Sequence, residues 1–160
     1  MINICLSKKL IEILNKKGIK QNDYIPAYNG ESAGLDLYNC DEDIIIQPMT
    51  SSFNNSCLIP TGIKINIPND YVALIQERGS ITKTPLKLRA GVIDSGFTGE
   101  IFINCINTSS DSFAIRKETK LPFQIVVVKC DNNFKVVDEE EYINLSNKSR
   151  RQQGQVGSSD

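Results

Sequence analysis

AGVIDSGFTGEI, residues 90–101, decides how this chain is read. Val92 and Ile93 stand before, and Ile101, Phe102 and Ile103 after, a stretch in which Gly96 and Gly99 flank Phe97. β-Branched and aromatic residues on both sides of glycines predict two strands joined by a turn, with Asp94 at the tip of a hairpin. Asp beside Gly is also ordinary turn chemistry, because the carboxylate bonds nearby amides and glycine accepts positive φ. The company it keeps gives the same carboxylate a second reading, as the activator of a water. Arg78-Gly79-Ser80 upstream, Gln124 inside a downstream strand and Gly157-Ser158-Ser159 at the end supply groups suited to phosphate.

Outward from this stretch, short apolar runs bounded by Gly, Pro and Asn recur at 33–38, 43–48, 56–60, 62–68, 71–77, 112–116, 122–130 and 134–138. Ile63, Ile65 and Ile67 alternate with polar residues, the period of a sheet with one buried face. Residues 2–6 predict a strand. Leu10, Ile11, Ile13 and Leu14 then repeat at helical spacing between Ser7, a cap, and Gly18, a stop, which predicts a short peripheral helix through Lys17. So many short strands with one helical period predict an all-β fold, a distorted barrel or jelly-roll-like double sheet. We expect one domain over 1–143, its first 20 residues forming the N-terminal strand and helical insertion. From Asn144 apolar periodicity stops, and 144–160 is expected to be a flexible arm.

Composition removes several chemistries. The 160 residues contain no histidine, which excludes Ser-His-Asp and Cys-His catalysis and His-ligated metals. A net charge of -1 with 23% charged residues gives no electrostatic case for a nucleic-acid or membrane partner. The five cysteines are scattered without a CxxC pair, so they are expected to be reduced thiols, mostly small core residues. With no secretory pattern and no run near the ~20 apolar residues of a membrane helix, a soluble cytoplasmic protein is expected.

AGLDL at 33–37, Arg78-Gly79-Ser80, GVIDSGFTGE at 91–100, PFQIV at 122–126 and the tail from Arg151 to Ser159 resemble, in this order, the five motifs of the trimeric dUTPases. The resemblance spans nearly the whole chain. It implies hydrolysis of dUTP to dUMP and pyrophosphate with Mg2+, inside a homotrimer. It further implies that Asp94 orients and deprotonates the attacking water, that Gly91, Val92 and Ile93 read uracil through the backbone, and that Phe97 walls the deoxyribose. Arg78, Gly79, Ser80, Gln124, Arg151, Ser158 and Ser159 would hold phosphates, Asp36 would support the waters of Mg2+, and Val156 would cover the base.

Several positions depart from the family pattern. Gly79 stands for a serine, Phe97 for the usual Tyr, Leu88 for an Asn that helps hold uracil, and Val156 for an aromatic that stacks on it, while Gln152 and Gln155 replace glycines. Two alternatives follow. The related dCTP deaminases, including bifunctional members, place a catalytic Glu where this chain has Asn104, and an amide cannot shuttle that proton. A non-catalytic regulatory or interaction protein built on the same frame is the other, motivated by the departures at Gly79, Leu88 and Val156.

Overall fold

The computed structural model describes residues 1–24, 31–49 and 56–148. The chain runs β1 (Asn3–Leu6), α1 (Lys8–Lys16), β2 (Gly34–Tyr38), β3 (Ile44–Ile46), β4 (Cys57–Pro60), β5 (Ile63–Asn66) and β6 (Tyr71–Glu77). It continues through β7 (Leu86–Leu88), β8 (Val92–Ile93), β9 (Phe102–Asn107), β10 (Phe113–Ile115), β11 (Lys120–Lys129) and α2 (Glu139–Asn147). The largest sheet has the order β2-β11-β6-β8, a second β4-β9-β7, and two small pairs join β1 to β5 and β10 to β3. The fold is all-β, as the strand pattern predicts.

Strand parity makes the core. In β5 Ile63 and Ile65 are buried while Lys64 and Asn66 are exposed, and in β9 Ile103, Cys105 and Asn107 point inward. Phe102, Asn104 and Ile106 therefore occupy the opposite face of β9. Fully burying one such isoleucine contributes about 1.5–3 kcal/mol. Helix α1 adds Leu10, Ile13 and Leu14 to this core. Its start is fixed twice, since Ser7 Oγ accepts from Leu10 N at 3.2 Å and Ser7 N donates to Gly62 O at 2.7 Å. Gly62 sits at φ 70°, where a Cβ would lie 2.4 Å from Ser7 Oγ, so this contact requires glycine.

Residues 90–101 do not form the predicted hairpin. β8 pairs with β6, Ile93 opposite Ala73, whereas β9 pairs with β4 and β7. The eight residues 94–101 between them cross from one sheet to another, a span too long for a tight hairpin loop. Ile101 N donates to Ile63 O at 2.8 Å, which ties the far end of the crossing to β5. Asp94 thus lies in a crossover turn.

The predicted strand at 134–138 is absent. Phe134 and Val136 alternate as a strand should, yet they are 87% and 96% exposed, and no neighbouring strand pairs their backbone. Helix α2 follows, against the expectation of an irregular chain from Asn144, and the 143/144 boundary falls inside it. Asp138 caps it, accepting from Glu141 N at 2.8 Å, and Glu139, Glu140 and Glu141 in the first turn favour its positive end. Arg151, Val156, Ser158 and Ser159 lie outside the described residues. β7 is an element that the apolar runs alone did not reveal.

Burial also sets thiol chemistry. Cys40 and Cys105 are buried, and desolvation first, then nearby Glu100 and Cys57 respectively, pushes each thiol up to about 12. Burial raises Cys57 as well, whereas Cys5 is exposed. Iodoacetamide near pH 8 should therefore label Cys5 first and leave Cys40 and Cys105 unmodified until the chain is denatured. Equal labelling of all the cysteines in the folded protein, read by peptide mass spectrometry, would contradict this.

Candidate active site

Asp94 follows β8, whose Ile93 is buried and whose Val92 stands opposite Leu74 of β6. Phe97 N donates to the main-chain oxygen of Asp94 at 3.0 Å, so the turn closes through the backbone and leaves the carboxylate unused. That carboxylate is exposed and has no hydrogen bond or ion pair with any described residue. A free acid in an accessible turn can accept a proton from a bound water; a turn-stabilising aspartate would spend its oxygens on local amides.

Gly91, Val92, Ile93, Asp94 and Phe97 line one cavity of about 350 Å³, within the range of small-ligand sites. The backbone leading into it is tightly held. Ala90 has φ 85°, an unusual value for a non-glycine residue, and Ile75 N donates to Gly91 O at 2.8 Å. A Cβ on Gly91 would come within 3.0 Å of Ile75 O, so the main chain of residues 91–93 is fixed against β6 with little freedom. The Phe97 ring is 44% exposed and lies over Gly99, where a Cβ would meet its Cζ at 2.8 Å. Glu100 also lines the cavity, but its Oε1 accepts from Gly62 N at 2.9 Å and serves the fold.

A second constellation gathers where β2, β6 and β11 run side by side. Asp36 pairs through Oδ1 with Arg78 Nε at 2.6 Å and through Oδ2 with Lys120 Nζ at 2.7 Å. Arg78 is further oriented by Leu121 O, and its backbone N donates to Pro122 O at 2.9 Å. Gln124 lies opposite Asp36 and Gln76, donates to Glu77 O at 3.5 Å, and lays its Oε1 over Gly34, where a Cβ would sit 2.3 Å away. Tyr24 donates its hydroxyl to Asp36 O from a buried position, and burial pushes that phenol far above its ordinary value. Gly79 and Ser80 open the short 3-10 turn Gly79–Lys83 and are exposed.

Arg78, Gln124 and Asp36 thus come together, with Gly79 and Ser80 next in sequence, and Lys120 joins them as a residue the sequence reading missed. The signal that could have found Lys120 is its even spacing from Gln124. Burial along β11 keeps that parity through the register shift, but the run read as a strand, 122–130, begins two residues after Lys120.

The two constellations are separate within one chain. Ile93 is opposite Ala73, so Asp94 falls near Val72, and Arg78 lies six residues further along β6, roughly 20 Å at about 3.3 Å per residue. Within one copy, Asp94 and Arg78 are too far apart to act on a single atom.

The dUTPase family matches residues 20–160. The deoxyuridine 5'-triphosphate nucleotidohydrolase of Neisseria meningitidis serogroup C is 34% identical over 123 residues, covering 73% of this chain and 79% of that protein. The enzyme of the same name from Francisella tularensis subsp. holarctica is 35% identical over 136 residues, covering 81% and 86%. Among solved structures, a variant of the Staphylococcus bacteriophage 80alpha dUTPase with dUpNHpp superposes with a TM-score of 0.70 at 22% identity over 99% of this chain and 98% of that one. A variant dUTPase of Staphylococcus aureus phage phi11, described for its coordination of a structural Mg(II) ion, has a TM-score of 0.64 at 22% identity, covering 88% and 99%.

Proposed function

The chain belongs to the dUTPase family, and from that premise we propose that Asp94 is the general base that deprotonates the water attacking the α-phosphate of dUTP. The enzyme hydrolyses dUTP to dUMP and pyrophosphate. The observation that carries the assignment is the convergence of Gly91, Val92, Ile93, Phe97 and an unpaired Asp94 carboxylate on one nucleoside-sized cavity. In-line displacement needs little covalent chemistry from the protein; it needs an aligned water and compensation for phosphate charge. Asp94 supplies the first. Arg78, Lys120, Gln124 and the amides and hydroxyl of Gly79 and Ser80 supply the second, with the Asp36 carboxylate holding the two cations in place.

The separation of roughly 20 Å along β6 means that these groups meet across copies of the chain. We assign the cavity of one copy and the Arg78 cluster of another to each complete site, in a homotrimer. Leu58, Val92 and Phe102 line that cavity and are 59%, 71% and 45% exposed in the single chain, apolar surface that a neighbouring copy would cover. Arg151, Ser158, Ser159 and Val156 complete the assignment as phosphate-binding and base-covering residues of the tail.

Among the described residues no group of three or more His, Cys, Asp or Glu side chains is placed to cage a metal ion. Mg2+ commonly binds through substrate phosphates and its own waters, and Asp36 would be the carboxylate nearest that water shell while its oxygens stay on Arg78 and Lys120. An ion bound there would offset phosphate charge. Among the described residues no helix is long and apolar enough to cross a membrane, and free cysteines at every described position fit a reducing compartment such as the cytoplasm.

Release of pyrophosphate from dUTP with Mg2+ tests the assignment, and product chromatography after incubation with dCTP tests the deaminase alternative, which predicts dUTP or dUMP. A second substitution reads the sugar. If the Phe97 ring excludes a 2′-hydroxyl, Phe97→Ala should lower the dUTP-over-UTP ratio of kcat/KM by about tenfold. An unchanged ratio would remove Phe97 from sugar selection.

A further inference from the structure

Among the described residues, the buried side-chain amides are satisfied with one exception. Asn39 is fully buried and its amide bonds Glu42 O, Arg116 O and Asp41 N, while Asn107, equally buried, bonds Ile46 O, Asp111 O and Ser109. Among the described residues, Asn104 Oδ1 alone is a buried side-chain oxygen or nitrogen with no hydrogen-bond partner. A buried polar group left unpaired is costly and calls for a reason.

Its place supplies one. Asn104 lies on the outward face of β9, directly opposite Leu58 of β4, and its backbone oxygen accepts from Arg89 N at 2.8 Å. The strand is therefore held on both sides while the amide belongs to no internal network. It lines the same cavity as Asp94 and Phe97, among Leu58, Ile75 and Phe102. Leu88, whose neighbour across the β7–β9 pairing is Cys105, packs toward Gly91 and offers that region no polar group.

We propose that Asn104 is a base-specificity residue of this site, its unpaired amide serving as the side-chain reader of the pyrimidine edge. The inference rests on the dUTP-hydrolysing reading and deepens it. An amide carries one acceptor and a two-proton donor, and the uracil edge offers an N3–H between two carbonyl oxygens, so a turn of the side chain toward the ligand pairs both partners. No internal hydrogen bond is lost in that turn. Burying a base then relieves an oxygen that the empty protein leaves unsatisfied, which raises affinity for a ring able to donate there. Asn104 does not move a proton; that role stays with Asp94.

Asn104→Leu keeps the branched shape and the number of heavy atoms of the side chain and removes both polar atoms. KM and kcat for dUTP and dCTP, calorimetric binding of dUMP, the thermal midpoint and the sedimentation profile should be measured for the wild type and the variant. We expect KM for dUTP and the dUMP dissociation constant to rise about tenfold, kcat to stay within about twofold, and the dUTP-over-dCTP ratio of kcat/KM to fall by a similar factor. The thermal midpoint should not fall, because the apolar side chain replaces an unsatisfied amide. Unchanged dUMP binding and an unchanged nucleotide ratio would overturn the proposal. So would a lowered midpoint or altered assembly with nucleotide constants intact, which would make Asn104 a structural contact. A wild type that binds dUMP without hydrolysing dUTP would sink the catalytic reading of Asp94 instead, and the dUMP arm would still decide Asn104.

Discussion

Asp94→Asn is expected to lower kcat for dUTP by about 10²- to 10⁴-fold, with nucleotide binding little changed. The substitution keeps size and shape, and the carboxylate makes no hydrogen bond or ion pair with a described residue, so nothing in the fold depends on its charge. The turn itself is closed by the bond from Phe97 N to the main-chain oxygen of Asp94, which survives the change. What disappears is the acceptor for the water's proton, equivalent to about 3–5 kcal/mol of barrier. Stopped assays with dUTP, paired with calorimetry on dUMP, separate the two effects. A variant that turns over at the wild-type rate would remove Asp94 from the chemistry.

Mixing two inactive variants should restore activity. Arg78→Ala leaves Asp36 paired with Lys120, so the cluster keeps one of its two cations and the fold is expected to survive. Alone, Arg78→Ala and Asp94→Asn should each be strongly impaired. Unfolded together and refolded at equal concentrations, they should recover up to about a quarter of wild-type activity, because a site built from two copies finds an intact Asp94 facing an intact Arg78 in one combination of four. If both groups acted within one chain, every site in the mixture would carry one lesion and no recovery would follow. Persistent inactivity in a properly assembled mixture would contradict the shared site.

The sequence made the sheet residues legible wherever one face was buried. Ile63 and Ile65 in β5 follow directly from alternation, Tyr71–Glu77 from a continuous apolar run, and α1 from helical spacing between Ser7 and Gly18. Pairing was less legible. Val92–Ile93 and Phe102–Asn107 look like arms of a hairpin, yet each has a better partner elsewhere, β6 for one and β4 with β7 for the other. Residues 134–138 alternate correctly and still form no strand, because alternation says which face is apolar and not whether a neighbour exists. Short β7, between the 3-10 turn and the cavity, carries too few residues for any periodicity.

The site divides along the same line. Asp94, Gly91, Val92, Ile93 and Phe97 stand together in one motif of the family resemblance, and Arg78 and Gln124 in two others, so the resemblance brought them into the reading. Lys120 lies two residues before the run 122–130 read as a strand, and Asn104 looked like an ordinary polar position on a strand. Only the neighbours distinguish them. Lys120 stands out by its contact with Asp36, and Asn104 by a buried Oδ1 without a hydrogen-bond partner among the described residues.

Hydrolysis of dUTP in water enriched with oxygen-18, followed by mass spectrometry of both products, tests the central assignment most directly. A water aligned by Asp94 behind the α-phosphorus places the heavy oxygen in dUMP and leaves pyrophosphate unlabelled. Label in pyrophosphate, or release of inorganic phosphate in its place, would show attack at another phosphorus and contradict the account.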